Sequence, residues 1–304
     1  PQASPPPIAS VTIRSPRLIR PSATPTDSAS GIDAAEVLPW SCTVTITLSI
    51  DRPSFFAVPW MMRMLAWCGT IQSTWSAPIP ALASRGDLRY LAVTSLDEPA
   101  KVAPALTEAA KLGALAIDIQ LGDYDTPLGE AVKLAVHIRK VARDLNLPFA
   151  IETHRDTFTE TPEITLALCD RYAQRTGERL PLCLDHSHFA VIRHLAPGTF
   201  WSRLSEPRPL LEAATQFHLR PFNGHHCQIP VLNSRGRRTP EYRDWLVYAR
   251  ELFGYLQAQP STDPVLVVPE LGHAAPAYGL SCFGDTWRDT IALHRDLRRL
   301  WFSS

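Results

Sequence analysis

From Arg85 onward the chain repeats one alternation: an apolar run of strand length, then an amphipathic stretch of helical length. RYLAVTS (89–95) reads as a strand and Glu98 to Leu112 as a helix. ALAIDIQLG (114–122) is the next strand, followed by a helix from Pro127 to Leu145 with Val132, Leu134, Ala135, Ile138 and Val141 at helical spacing. PFAIETH (148–154) follows, and a helix opens near Pro162 with Thr161 as its N-cap. LPLCLDHSH (180–188), ATQFHLRPF (214–222) and PVLVVPELG (264–272) complete the strands. Helical stretches such as Glu241 to Ala258 lie between them, and Asp285 is placed to cap the last helix. The strands read as continuous apolar runs, as burial on both faces requires. Repeated β-α units build a parallel sheet. The 304 residues accommodate a single barrel of about 250. The expected fold is therefore α/β, a (β/α)8 TIM barrel with an atypical N-terminal unit.

That unit is the part the alternation does not reach. Residues 1–84 are rich in Pro, Ser and Thr, contain neither His nor Lys, and carry only Asp27, Asp33, Glu36 and Asp51 as acids. A disordered leader accounts for residues 1 to about 35. CTVTITLSI (42–50) alternates like a strand, and Phe55 to Trp67 is too apolar for water. Either this is an unusual first β/α unit or it is translated out of frame from a GC-rich gene. The expected organisation is an N-terminal segment, 1–84, contributing the first unit, and a barrel, 85–304, carrying the site.

Thirty basic residues balance thirty acidic ones, so no global field holds the chain on a polyanion, and nucleic acid is not an expected partner. The six cysteines, at 42, 68, 169, 183, 227 and 282, form no CxxC pair, which fits reduced thiols in a cytoplasmic enzyme. Pro59 and Arg63 interrupt the apolar stretch 54–69, so no export signal and no membrane span are expected.

Four apolar runs terminate in a charged or imidazole side chain: Glu152, Asp185, His218 and Glu270. In a β/α barrel the C-terminal strand ends share one rim, so residues remote in sequence meet there. Two Glu, one Asp and one His supply oxygen and nitrogen donors suited to a single divalent cation, Mn2+ first and Mg2+, Co2+ or Zn2+ also compatible. For one such residue alone, a surface charge or strand cap is the simpler reading. Four in register are harder to dismiss, because buried carboxylates are costly without a cation or partner. His154 and Arg155 follow Glu152, His186 and His188 follow Asp185, and Arg220, Asn223, His225 and His226 follow His218. His137, His194 and His294 fall on expected helices and are read as packing or surface residues. Arg235, Arg237 and Arg238 lie in a loop, where phosphate recognition and plain solvation are both open. Phe283 and Trp287 line an apolar wall or pack the last helix.

IETHRDT, LDHSH, FHLRPFNGHH and VPELG resemble motifs of the xylose-isomerase-like superfamily, across roughly residues 88–290 and nearest in motif to the ketose 3-epimerases. The resemblance implies a metal set of Glu152, Asp185, His218 and Glu270. It implies proton handling by Glu152 and Glu270, and substrate oxygens held by His188 and Arg220, with His154, Arg155 and Asn223 beside them. The implied activity is isomerisation or epimerisation of a keto sugar or related polyol by proton transfer next to a carbonyl, in an enzyme that is often a homo-oligomer. Asp185 and His188 also share a spacing with the endonuclease IV branch, a zinc phosphodiesterase. That branch needs more histidines from early strands, and this chain has none before His137. A barrel without catalysis, serving as a binding protein, is the third reading.

Overall fold

The computed structural model describes residues 42–48, 63–64, 88–260, 264–272 and 283–303. The expectations for the leader and for the apolar segment Phe55 to Trp67, apart from residues 63–64, lie outside them.

Eight strands form one sheet: β1 (Cys42–Leu48), β2 (Arg63–Met64), β3 (Leu88–Leu96), β4 (Ala116–Leu121), β5 (Phe149–Glu152), β6 (Leu182–Leu184), β7 (Ala214–His218) and β8 (Leu266–Val268). Their order is β1-β3-β4-β5-β6-β7-β8-β2. The run β3 to β8 is parallel throughout, and β2 extends it in parallel beside β8. This is the β/α-barrel arrangement over its six regular units. The first strand departs from it: β1 lies antiparallel to β3, with Cys42 opposite Thr94 and Leu48 opposite Leu88. A strand entering in that direction cannot place its end on the rim shared by the parallel strands.

The connections are α1 (Pro99–Lys111), α2 (Leu128–Asp144), α3 (Pro162–Thr176), three short helices α4 (His186–Ile192), α5 (Phe200–Leu204) and α6 (Arg208–Ala213), then α7 (Pro240–Gln257) and α8 (Thr286–Ser303). Local chemistry sets their starts. Thr161 and Thr239 accept backbone N–H groups of α3 and α7, each with Pro next in line. Asp285 accepts the N–H of Trp287 at 2.9 Å, as expected of a cap. Gly177, with φ +72°, ends α3 in the left-handed conformation.

The strands are less uniformly apolar than their sequence reads. Ile117, Ile119, Ile151, Leu182, Leu184, Phe217 and Val267 pack outward into the main core beneath the helices. The alternate residues of the same strands turn inward, as the period of two requires. At one level these are Leu91, Ala116 and Val268, a small apolar cluster. The inward set also includes Val93, Ala150 and Cys183, and the polar side chains Asp118, Gln120, Glu152, Gln216 and His218.

Two further expectations are corrected. DHSH does not continue β6: Asp185 caps α4, and His186 to His188 form its first turn. His194 lies past the end of α4, with φ +49°, and not on a helix.

Candidate metal centre

Glu152 and His218 are the last residues of β5 and β7, Asp185 follows β6 directly, and Glu270 stands two residues beyond β8. Because these strands are parallel neighbours, their ends meet. One ligand atom from each of the four lies within 4.8 Å of every other. Glu152, Asp185 and His218 are buried, and Glu270 is the most accessible, its side chain 13% exposed.

His218 Nδ1 lies 2.9 Å from Glu152 Oε1 and 3.0 Å from Glu270 Oε2. Arg220 donates to Glu270 Oε1 and approaches Asp185 Oδ2 at 3.3 Å. His188 is one helical turn past Asp185, which brings its Nε2 to 3.3 Å from the same Oδ2. Asp185 Oδ1 accepts the Ser187 N–H at 2.9 Å, the cap of α4. Glu152 is held from behind: Gln120 Nε2 donates to its Oε2 at 2.9 Å, and Ser95 Oγ donates to Gln120 Oε1 at 2.8 Å.

Burial would raise all three carboxylates, but positive neighbours outweigh it. Arg220 and His188 hold Asp185 well below the usual range, Arg220 and His218 do the same for Glu270, and His218 lowers Glu152. Burial disfavours the His218 imidazolium, yet Cys183, Glu270, Glu152 and Asp118 around it push its pKa well up.

These residues fit a divalent cation. Four carboxylates here are buried or nearly so, and Arg220 is the guanidinium beside two of them, Asp185 and Glu270. Asp185 Oδ2, Glu270 Oε2 and both oxygens of Asp118 accept no hydrogen bond among the described residues. Buried acceptors without donors are costly, and a dication satisfies several of them together. Three carboxylates and one imidazole match Mn2+, Mg2+, Co2+ or Zn2+, and Cys183 is not in the four-residue group.

The remaining expected residues divide. His154 packs its ring 4.1 Å from that of His188, and so lies beside the residue that contacts Asp185. Arg155 is exposed and donates to Cys227 Sγ at 2.8 Å. Asn223 uses its Oδ1 to accept the N–H groups of His225 and His226, which closes the turn of FNGHH. Arg238 forms a two-pronged pair with Asp296 of α8, at 2.5 Å for each contact, so it ties down the loop after β7. Arg235 and Arg237 are exposed. Phe283 is half-buried and Trp287 is 44% exposed.

No family model matches this chain, and neither does any curated protein. Several solved structures are similar to it. One is a D-tagatose 3-epimerase-like protein, 14% identical, with 76% of this chain and 84% of that one covered and a TM-score of 0.48. Another is a xylose isomerase-like TIM barrel protein from Mycobacterium smegmatis in complex with magnesium: 16% identity, 67% of each chain, TM-score 0.41. A third is a 3-keto-D-glucoside 4-epimerase from E. coli: 14% identity, 72% of this chain and 85% of that one, TM-score 0.43.

The sequence reading missed two residues, Asp118 and Gln120, both on β4. Their signal was present in AIDIQL, where polar residues two apart interrupt an apolar strand and so share one face. Asp118 is fully buried and Gln120 partly so. No helix among the described residues is long and apolar enough to cross a membrane.

Proposed function

We propose that this chain binds one divalent cation through Glu152, Asp185, His218 and Glu270, and uses the site to move a proton on a carbon next to a carbonyl in a keto sugar or related polyol. The observation that carries the reading is the convergence of four donor atoms within 4.8 Å at the ends of four neighbouring parallel strands. The motif resemblance, which implies the same four residues as ligands, supports it independently.

A bound cation supplies Lewis acidity, lowering the cost of the negative charge that builds on a carbonyl oxygen as the adjacent proton leaves. The protein supplies the proton transfer and the orientation. Glu270 is the better placed base: it is the more accessible glutamate, its side chain 13% exposed against 2% for Glu152. Glu152 has both oxygens engaged, one near His218 and one on Gln120, which suits a ligand whose proton exchange is more restricted. A positioned general base contributes about 10²- to 10⁴-fold. Arg220 and His188 flank Asp185 and present donors to substrate oxygens, with His154 beside them. We place the enzyme in the cytoplasm, with Mn2+ as the first cation to supply.

The test combines metal uptake with solvent exchange. The purified protein is expected to take up about one Mn2+ per chain. In D2O with a panel of ketoses it is expected to wash deuterium into the carbon beside the carbonyl. Glu270→Gln should lose the exchange more than the fold, and His218→Ala should lose the cation. Uptake of two or three zinc ions would point to phosphodiester hydrolysis. A folded parent that binds none would leave a barrel without catalysis.

A further inference from the structure

Asp118 is an unusual residue for a barrel interior. It is fully buried and paired in register with Ala150, one inward position before Glu152. Neither carboxylate oxygen accepts a hydrogen bond among the described residues. The groups around it are His218, whose Nε2 lies 3.6 Å from Oδ2, the thiol of Cys183, and the carboxylate of Glu152, which repels it. A buried carboxylate without donors weakens the fold that contains it, so its place here is not explained by stability.

His218 explains it. The ring has two nitrogens: Nδ1 turns to Glu152 and Glu270, and Nε2 turns to Asp118, with the Cys183 thiol grouped beside them. A neutral imidazole carries one proton, and Nδ1 offers its lone pair to a cation only when that proton sits on Nε2. The tautomer is set by whatever accepts the Nε2–H, and a thiol is a weak acceptor beside a carboxylate. A separation of 3.6 Å is too long for a hydrogen bond. A tilt of the ring that draws Nε2 in by roughly half an ångström makes one.

We propose that Asp118 is a positioning residue: by accepting the Nε2–H of His218, it fixes the ring with Nδ1 directed at the cation. The inference rests on the metal-site reading above.

The experiment is calorimetric titration of the full chain with Mn2+, for the parent, Asp118→Asn and Asp118→Leu, beside thermal unfolding of each protein in excess chelator. Asp118→Leu is expected to bind Mn2+ at least about tenfold more weakly. Its cation-free melting temperature should be unchanged or higher, because an unpartnered carboxylate has been replaced by an apolar group of similar shape. Asp118→Asn keeps a carbonyl acceptor and should fall between the two. Parent-like Mn2+ affinity in Asp118→Leu would overturn the proposal. So would a leucine variant that fails to fold or melts lower without the cation, since either result assigns Asp118 to the fold. A parent that takes up no Mn2+ removes the metal-site reading itself and this inference with it, an outcome visible before any variant is made.

Discussion

Arg220 pairs with Glu270 from a position two residues past the end of β7, with its side chain only 2% exposed. The same guanidinium approaches Asp185. One cation of the protein thus steadies two of the four candidate ligands. In Arg220→Met both carboxylates lose that partner inside the barrel. Removing one member of a buried ion pair costs about 3–5 kcal/mol. Urea unfolding in chelator should show a loss of that size, and excess Mn2+ should restore part of it by supplying the missing positive charge. An unchanged midpoint in chelator would mean that the carboxylates are not held by Arg220.

His186 hydrogen-bonds Tyr248 OH at 2.6 Å in the core, and burial pushes its pKa down to about 4. Its folded pKa lies below the unfolded value, so between roughly pH 6.5 and 4 the unfolded chain takes up a proton that the folded chain refuses. Stability is therefore full above this window and falls with pH through it, by about 3 kcal/mol in total. Chelator-treated protein should show this slope in urea midpoints, and His186→Gln should flatten it. A slope of equal size in both would place the acid sensitivity elsewhere.

Arg238 belongs to the fold. Its pair with Asp296, which also accepts Tyr242 OH at 3.2 Å, pins the loop after β7 to α8. Arg238→Ala should cost about 1 kcal/mol, since the pair is partly exposed. It should leave KM the same for free and phosphorylated sugars. A KM rise confined to phosphorylated substrates would instead assign Arg238 to anion recognition.

Gly224 lets FNGHH lie against the turn after α4. A Cβ there would stand 2.3 Å from Leu195 O and 2.9 Å from Leu195 N, both backbone atoms that yield little. Gly224→Ala should destabilise by about 1–3 kcal/mol. A thermal melt equal to that of the parent would show that the loop has room to move.

The β-α alternation after Arg85 was legible because each strand and helix declares itself locally, through apolar periodicity, a capping Thr161 or a proline at a helix start. The four candidate ligands were legible for a related reason: a charged side chain closing an apolar strand has few inexpensive locations, and parallel strands bring such ends to one rim. Asp118 and Gln120 were not, because inward and outward faces cannot be told apart until the sheet curls and the helices cover one of them. The role of DHSH needed the backbone too, since only the turn of α4 at Asp185 brings His188 back onto its carboxylate. The partners of Arg238 and Asn223, Asp296 and the backbone of His225 and His226, could not be read from the sequence, because packing chooses them. The sequence by itself determined which residues could serve a metal and in what order the chain would present them. Tertiary structure decided which face each strand turned inward and which charges were paired before substrate arrives, because burial and distance are properties of the folded chain alone.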